Sequence, residues 1–138
     1  MSGLVIDASV AMSWCFPDER SDYAHRVLDE LEHRRGVVPG LWPLELANAL
    51  LVGERRNRLS PAEVSRFLKL VKGLSLTIDT QTSQRALADT LPLARAHGLS
   101  AYDAVYLELA MREGLTLATL DKKLGQAAEA SGVAVYKK

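Results

Sequence analysis

Four carboxylate residues stand at points in the sequence where an apolar run meets the start of a helix. They are Asp7, Glu45, Asp103 and Asp121. Asp7 directly follows the apolar run 4–6, and Asp103 stands three residues after Ser100, which can cap a helix. A carboxylate at a helix start can cap free N–H groups and complement the helix dipole, an effect of about 0.3–1 kcal/mol for each residue. Capping alone would therefore explain any one of the four acids.

The four acids are harder to explain as caps when they are considered together, because their apolar flanks place the side chains at the rim of the core. Several carboxylates in one partly dry pocket repel one another, and some would have to hold protons. A bound divalent cation removes that conflict. The candidate ligands are all oxygen atoms, without a cysteine or histidine partner, which favours Mg²⁺ or Mn²⁺ over Zn²⁺. The histidines show no metal-ligand spacing; they are His25, His33 and His97.

Short apolar runs alternate with amphipathic segments along the chain, which predicts a fold of the α/β class. The runs typical of strands are 4–6, 37–38, 76–78, 115–119 and 133–135. The segments between them are typical of helices and include a continuous helix over 82–96. This alternation predicts a central, mostly parallel sheet of about five strands with helices on both faces. Helix N-termini then collect at the carboxyl edge of the sheet, where the four acids are expected to meet.

The composition is that of an ordinary folded protein, and no repeat, low-complexity segment or linker divides the 138 residues. We therefore expect a single domain over 1–138. The formal net charge of zero argues against a protein that coats nucleic acid through bulk electrostatics. Cys15 is the single cysteine, and the sequence shows neither a secretory signal nor an apolar run of the roughly 18 residues that a membrane helix needs. These features predict a cytoplasmic protein without membrane contact.

Four segments of the sequence together resemble the PIN-domain ribonucleases, and most of all the VapC-type toxins of toxin–antitoxin pairs. They are Val5-Ile6-Asp7-Ala8-Ser9, Pro43-Leu44-Glu45-Leu46-Ala47-Asn48-Ala49-Leu50, Leu99-Ser100-Ala101-Tyr102-Asp103-Ala104-Val105-Tyr106 and Leu117-Ala118-Thr119-Leu120-Asp121-Lys122-Lys123-Leu124. The resemblance covers essentially the whole chain and implies a PIN-like three-layer α/β/α sandwich. The acidic quartet of the family falls on the four acids named above. Ser9 and Thr119 match small hydroxyl residues that support the site, and Asn48 matches an asparagine one turn after the glutamate.

The resemblance also implies an activity, a metal and partners. The activity is Mg²⁺-dependent endonucleolytic cleavage of single-stranded or looped RNA, with Mn²⁺ as an alternative metal. Asp7 and Asp103 would hold the metal, and Glu45 and Asp121 would act directly or through waters. As the toxin of a type II pair, the chain would be inhibited by a VapB-like antitoxin bound to the helical pair 43–74, and it would form a homodimer. The apolar residues of that helical pair could alternatively belong to the core.

Two basic clusters are candidates for contact with RNA phosphates. Lys122 and Lys123 directly follow one of the four acids, and Arg55 and Arg56 lie near the predicted end of the helix that carries Glu45. Cations at a helix end also complement the helix dipole, so a solvated helix end is the stronger alternative for the two arginines.

Two other classes of function remain open on the residues alone. An aspartate after the first strand of a parallel sheet also fits phosphoryl transfer through an aspartyl phosphate, as in haloacid-dehalogenase-type phosphatases and response-regulator receivers. The phosphatases usually carry a second aspartate two residues later, where this chain has Ser9, and neither class accounts for Glu45 together with Asp103. The other alternative is a PIN-like fold that binds RNA or a protein without cleavage, although a binding module does not need clustered carboxylates.

Overall fold

A central sheet of four parallel strands organises the fold. The computed structural model describes residues 3–137, and its strands are Leu4–Ile6 (β1), Gly36–Val38 (β2), Leu76–Ile78 (β3) and Thr116–Ala118 (β4). They lie in the order β3-β2-β1-β4. β1 is completely buried, as its unbroken apolar sequence predicts for a strand that is covered on both faces. The predicted α/β class with a parallel central sheet is confirmed.

Helices connect the strands and cover both faces of the sheet. They are Ala8–Cys15 (α1), Asp22–Glu30 (α2), Trp42–Arg55 (α3), Pro61–Lys72 (α4), Thr82–Arg85 (α5), Leu91–His97 (α6), Ala101–Glu113 (α7) and Lys122–Ala130 (α8), with a short 3-10 helix at Pro17–Glu19 and a π-helical turn at Ala86–Thr90. Helices α2, α3 and α4 each contact α1, whereas α6 and α8 each contact α7. The helices therefore form two groups with the sheet between them, which is the three-layer arrangement that the resemblance implies.

The register of the sheet aligns the ends of its strands. Ile6 and Ala118, the last residues of β1 and β4, are paired, and the last residues of β2 and β3 are paired in the same way. The residues that follow these strands, among them Asp7, Asp79 and Thr119, consequently emerge at one edge. The sheet thus supplies a common platform for side chains from distant parts of the sequence.

The predicted fifth strand at 133–135 is reduced to a single parallel bridge to Leu117. The Leu117 N–H donates to the carbonyl of Ala134, and the Tyr136 N–H donates to the carbonyl of Leu117. Beyond this bridge, the Tyr136 ring packs edge to face on Tyr23 with the ring centroids 5.7 Å apart. The Tyr23 hydroxyl also donates to the Tyr136 carbonyl. Two backbone hydrogen bonds and the packing of Tyr136 on Tyr23 therefore hold this segment against β4, without a longer ladder.

The predicted continuous helix over 82–96 is interrupted. Its first turn, α5, leads into the π-helical turn at Ala86–Thr90, and regular helix resumes at Leu91. Pro92 is the physical reason, because proline has no N–H to donate to the carbonyl four residues earlier and its ring displaces that carbonyl. Helix α6 then ends at Gly98, whose φ of 63° is a left-handed conformation that glycine adopts without steric cost.

One hydrophobic cluster connects the strands and most helices of the described residues, from Leu4 to Val133. The interpretation of 1–138 as a single domain stays a prediction. No helix within residues 3–137 is both long enough and apolar enough to cross a membrane.

Candidate active site

Strand ends and helix starts bring the four candidate acids to the carboxyl edge of the sheet. Asp7 directly follows β1, and its N–H donates to the last carbonyl of β4. Asp121 caps α8, because its carboxylate accepts the N–H of Leu124. Glu45 and Asp103 lie in the first turns of α3 and α7. Each acid is therefore positioned by an element that ends or begins at this edge.

Asp7 is the most deeply buried of the four acids, with 5% of the residue exposed. Its side chain does not cap α1; instead, its Oδ2 accepts hydrogen bonds from the hydroxyls of Ser9, at 2.9 Å, and Thr119, at 2.6 Å. Burial raises the pKa of the Asp7 carboxyl, and the charges of Asp103 and Asp121 raise it further, while the two hydroxyl hydrogen bonds oppose the increase. A cation at this position would favour the charged form of Asp7.

The hydroxyls of Ser9 and Thr119 tie the segment after β4 to Asp7. Thr119 Oγ1 donates to Asp7 and accepts the N–H of Asp121 at 2.9 Å, so one hydroxyl connects two of the acids. Ser9 Oγ donates to the same oxygen of Asp7 and accepts the N–H of Leu120 at 3.1 Å. Both hydroxyls therefore restrict the rotamer of Asp7 and the path of the chain that carries Asp121.

Tyr106 is a site residue that the sequence reasoning missed. It is fully buried on α7, and its hydroxyl donates a hydrogen bond to Oε1 of Glu45 on α3. Burial raises the pKa of Glu45, and the charges of Asp7 and Asp103 add to the increase, while the hydrogen bond from Tyr106 opposes it. A signal was present in the sequence, because a tyrosine inside a buried helix needs a polar partner for its hydroxyl.

Asp103 lies between a capping serine and a lysine. The Ser100 hydroxyl accepts the N–H of Asp103 at 3.1 Å, which confirms the predicted helix cap. Burial and the charge of Asp121 raise the pKa of Asp103, while the interaction with Ser100 and the cation of Lys123 oppose the increase. Lys123 is therefore close enough to act on the charge of this carboxylate.

The four carboxylates interact with one another, and their chemistry suits a hard divalent cation. Asp7 and Asp103 repel each other, and both repel Glu45. The charge of Asp121 raises the pKa values of Asp7 and Asp103. Every candidate ligand atom is an oxygen, the type that Mg²⁺ and Mn²⁺ prefer. Within residues 3–137, no three acidic, cysteine or histidine side chains form a group that could hold a metal ion as they stand. A cation at this cluster would therefore need a rearrangement of these side chains or bridging waters.

The other predicted site residues lie at different distances from the acids. Lys122 and Lys123 are exposed in the first turn of α8, next to the aspartate that caps this helix. Arg55 and Arg56 are exposed at the opposite end of α3, about 15 Å along the helix axis from its glutamate. Asn48 is exposed, and its side chain makes no hydrogen bond in the part of the chain that the structure describes. The structure thus groups the two lysines with the acids but not the two arginines.

Asp79 also ends a strand at this edge, but it belongs to a buried ion-pair cluster. Arg112 of α7 donates two hydrogen bonds to the Asp79 carboxylate, at 3.1 and 2.8 Å, and two to Glu108, at 2.9 and 3.1 Å. Burial by itself would raise the pKa of Asp79, but the hydrogen bonds from Arg112 and Thr82 and the charge of Arg112 hold it below its ordinary value. Both oxygens of Asp79 are therefore engaged by protein groups.

Residues 4–130 of the sequence match the family described as PIN domain. The chain belongs to the PIN-domain family. A relative, Ribonuclease VapC3 of Pyrobaculum aerophilum, is 32% identical over 123 residues, which are 89% of this chain and 92% of the relative. The predicted resemblance to VapC-type PIN proteins is thus confirmed, and the match favours this family over the aspartyl-phosphate enzymes.

Solved structures agree with this assignment. The crystal structure of PAE2754 from Pyrobaculum aerophilum superposes with a TM-score of 0.68 at 26% identity, over 97% of this PIN domain and 83% of that chain. FitAcB from Neisseria gonorrhoeae gives 0.61 at 23% identity, over 97% and 96% of the two chains. FitAB bound to an IR36 DNA fragment gives 0.63 at 21% identity, over 96% and 93%. At these lower identities, the last two comparisons establish the fold alone.

Replacing Thr119 by valine in this PIN domain is expected to weaken metal binding at the acidic cluster by about 10- to 100-fold. Valine has nearly the same shape but removes the hydroxyl that holds both Asp7 and the N–H of Asp121. Calorimetric titration with Mn²⁺ measures the affinity, and Thr119→Ser is the matched control because it keeps the hydroxyl. Equal affinities for the valine and serine variants would contradict the prediction.

Proposed function

We propose that this PIN domain is a Mg²⁺-dependent endoribonuclease that cleaves single-stranded or looped RNA and acts as the toxin of a type II toxin–antitoxin pair. The observation that carries the proposal is the carboxylate cluster, in which burial and mutual repulsion raise the pKa values of Asp7, Glu45 and Asp103. A divalent cation relieves that repulsion and lets an acidic pocket accept a phosphate. The 32% identical relative is named a ribonuclease, which supports the same chemistry.

In the proposed site, Asp7 and Asp103 would hold the metal, and Glu45 and Asp121 would act directly or through water, because Mg²⁺ keeps several of its waters in proteins. A metal ion held there would supply Lewis-acid chemistry, for activation of the attacking water and for stabilisation of the charge on the scissile phosphate. The carboxylates contribute the negative charge that binds the metal and places it at the edge of the sheet.

Three hydroxyl groups position the carboxylates in this proposal. Ser9 and Thr119 hold Asp7 through hydrogen bonds to Oδ2, and the fully buried Tyr106 holds Glu45 through Oε1. Partners of this kind orient metal ligands, and their loss typically costs 10- to 100-fold in metal affinity or activity. Each hydroxyl bonds one oxygen of its carboxylate, so the other oxygen would be available to a metal.

Lysines beside the acids are proposed to hold the RNA backbone. Lys123 acts on the charge of Asp103, and neither Lys122 nor Lys123 forms an ion pair in the described part of the chain. Their ammonium groups are therefore available to phosphates that flank the cleaved bond. Arg55 and Arg56 lie too far along α3 to contact the same phosphate, so their contact with RNA stays a weaker prediction.

An apolar groove between α3 and α4 is the proposed binding site of an antitoxin. The groove encloses a cavity of about 440 Å³, and its lining combines buried Leu46, Leu50 and Phe67 with exposed Leu51 and Leu68. Exposed leucines around a buried apolar floor are typical of surfaces that take up an amphipathic helix. We infer that a VapB-like antitoxin covers this groove and inhibits the enzyme.

Leu51→Glu is expected to weaken binding of the antitoxin by at least about 10-fold without loss of ribonuclease activity, because a buried unpaired charge would oppose contact with an apolar helix. Leu51 is 46% exposed, so the free chain should tolerate the glutamate. Affinity purification of tagged variants from the native host measures how much of the small partner protein is retained. Leu87→Glu is the control, at a leucine that is 84% exposed and lies outside the groove. Equal retention by both variants would show that the groove does not bind the partner.

Cleavage of a total-RNA pool by the purified chain tests the proposed activity. We expect bands with Mg²⁺ or Mn²⁺ and none with a chelator. A denaturation and refolding step before the assay removes any retained inhibitor. Absence of metal-dependent bands after refolding would favour the alternative of a PIN domain that binds RNA or a protein without cleavage.

The oligomeric state and the location of the chain stay predictions. The resemblance implies a homodimer, and light scattering of the purified chain measures its mass directly. The cytoplasmic location is likewise an expectation from the sequence.

A further inference from the structure

A second cavity, of about 560 Å³, opens beside the acidic cluster on the α8 side. We propose that this cavity binds one base of the RNA substrate next to the scissile phosphate and thereby selects the nucleotide at the cleavage site. The proposal rests on the ribonuclease function proposed above. The residues that line the cavity include Tyr23, Thr119, Asp121, Lys122, Gln126 and Tyr136.

The cavity shares a wall with the candidate active site. Thr119 and Asp121 line it, and the same Thr119 hydroxyl donates to Asp7 and accepts the N–H of Asp121. A phosphate at the carboxylate cluster would therefore lie on one side of this wall, and the cavity lies on the other. A single nucleotide has groups for both sides of this wall, because its base and its phosphate are joined through one ribose.

The cavity offers a rigid aromatic surface. Tyr136 is half-buried, and its ring is held edge to face against Tyr23 at an interplanar angle of 61°. The Tyr23 hydroxyl donates to the Tyr136 carbonyl and accepts the N–H of Thr119, so the ring pair is anchored to the strand end that carries the site. Stacking on a fixed aromatic ring is a general way in which proteins bind the bases of single-stranded RNA.

Gln126 supplies the group that can distinguish one base from another. Its side chain is exposed and makes no hydrogen bond within residues 3–137, so its amide presents both a donor and an acceptor to the cavity. Lys122, also without an ion pair in that range, can bind a phosphate at the mouth. A bidentate amide reads the hydrogen-bonding edge of a base, as glutamine and asparagine do for adenine in DNA.

The charges of the lining favour a neutral ring over an anion. The negative charges of Asp121 and Glu129 balance the positive charges of Lys122 and Lys137. Glu129 also forms an ion pair with Lys137 at 3.4 Å. A free anion would therefore meet Asp121 without a clear excess of positive charge. A base with its own donors and acceptors fits this mixed lining, and the volume lies in the range of small-ligand sites.

Binding of the four ribonucleoside 5′-monophosphates, followed by NMR at the backbone N–H of Gly125 in the cavity lining, tests the cavity without any cleavage. We expect at least one of the four to bind about 5-fold more tightly than ribose 5-phosphate, which lacks a base, and Gln126→Ala to remove most of that difference. Gln84→Ala, at an exposed glutamine on α5, is the matched control. Binding no tighter than that of ribose 5-phosphate, or a preference that survives in Gln126→Ala, would overturn the proposal.

Sequencing of the products from a randomised RNA pool tests the same cavity during cleavage. We expect the wild type and Gln84→Ala to share a nucleotide preference beside the cut, and Gln126→Ala to cleave with that preference flattened. An identical preference in all three chains would overturn the proposal, although the ribonuclease function would stand. Base-dependent binding at Gln126 in a chain that cleaves no RNA would instead support the cavity and refute the ribonuclease function.

Discussion

Asp7→Asn is expected to reduce the rate of RNA cleavage by at least about 100-fold while the fold is retained. The amide oxygen of asparagine can still accept the hydroxyls of Ser9 and Thr119, so the local hydrogen bonds survive. The substitution removes the negative charge that the proposed site uses to hold its metal. Single-turnover cleavage of a defined single-stranded RNA, with and without Mg²⁺, measures the effect.

The same substitution is expected to change how stability depends on pH and on Mg²⁺. Since the folded-state pKa of Asp7 is raised, the metal-free wild type should lose stability as the pH rises through that pKa. Asp7→Asn should lose less, because only the raised pKa values of Glu45 and Asp103 remain. Mg²⁺ should raise the Tm of the wild type more than that of the variant, because ligand binding stabilises only the chain that binds it. Asp29→Asn, at an exposed carboxylate on α2, is the control for the loss of one charge. Wild-type cleavage by Asp7→Asn would remove Asp7 from the proposed active site.

Asp79→Ala is expected to lower the free energy of unfolding by about 2–4 kcal/mol, which is the second large effect. The side chains of Asp79 and Arg112 are 9% and 10% exposed, so the substitution leaves a buried guanidinium without one of its two main partners. Glu108 still accepts two hydrogen bonds from Arg112, which limits the loss. Urea denaturation near pH 7 measures the change.

The pH dependence of this effect has a definite sign. Because the folded-state pKa of Asp79 is held below its ordinary value, its contribution to stability is present at neutral pH and is lost as the pH falls below about 4. The wild type and Asp79→Ala should therefore converge in stability under acid conditions. Asp89→Ala is the matched control, because it breaks an exposed ion pair with Arg85 that should contribute less than about 1 kcal/mol. Equal destabilisation by the two variants would show that the buried ion pair contributes no more to stability than the exposed one.

The places where the acids emerge follow from short-range signals. The apolar run 4–6 predicts a buried strand, and an aspartate directly after it must lie where that strand ends. Ser100 three residues before Asp103 predicts a helix start, which the structure contains. Pro92 shows the limit of this reasoning. The periodicity alone predicts a continuous helix, but the structure has a π-helical turn just before this proline.

The hydrogen bonds that orient the acids depend on long-range packing. Tyr106 and Glu45 are 61 positions apart, and Thr119 and Asp7 are 112 positions apart. The ion pair between Arg112 and Asp79 likewise joins residues 33 positions apart. Such pairs form only after separate helices and strands have packed on the same sheet, so no local pattern specifies them.

The sequence by itself determined the class of fold and the elements that carry the four acids, because strand and helix periods, caps and the direction of parallel strands are properties of short segments. Only the tertiary structure decided that Tyr106 bonds Glu45 and that Asp79 pairs with Arg112. It also decided that the segment 133–135 joins the sheet through one bridge. The physical reason is that a buried polar group takes whichever partner the packed core brings within reach, and that choice depends on the whole fold.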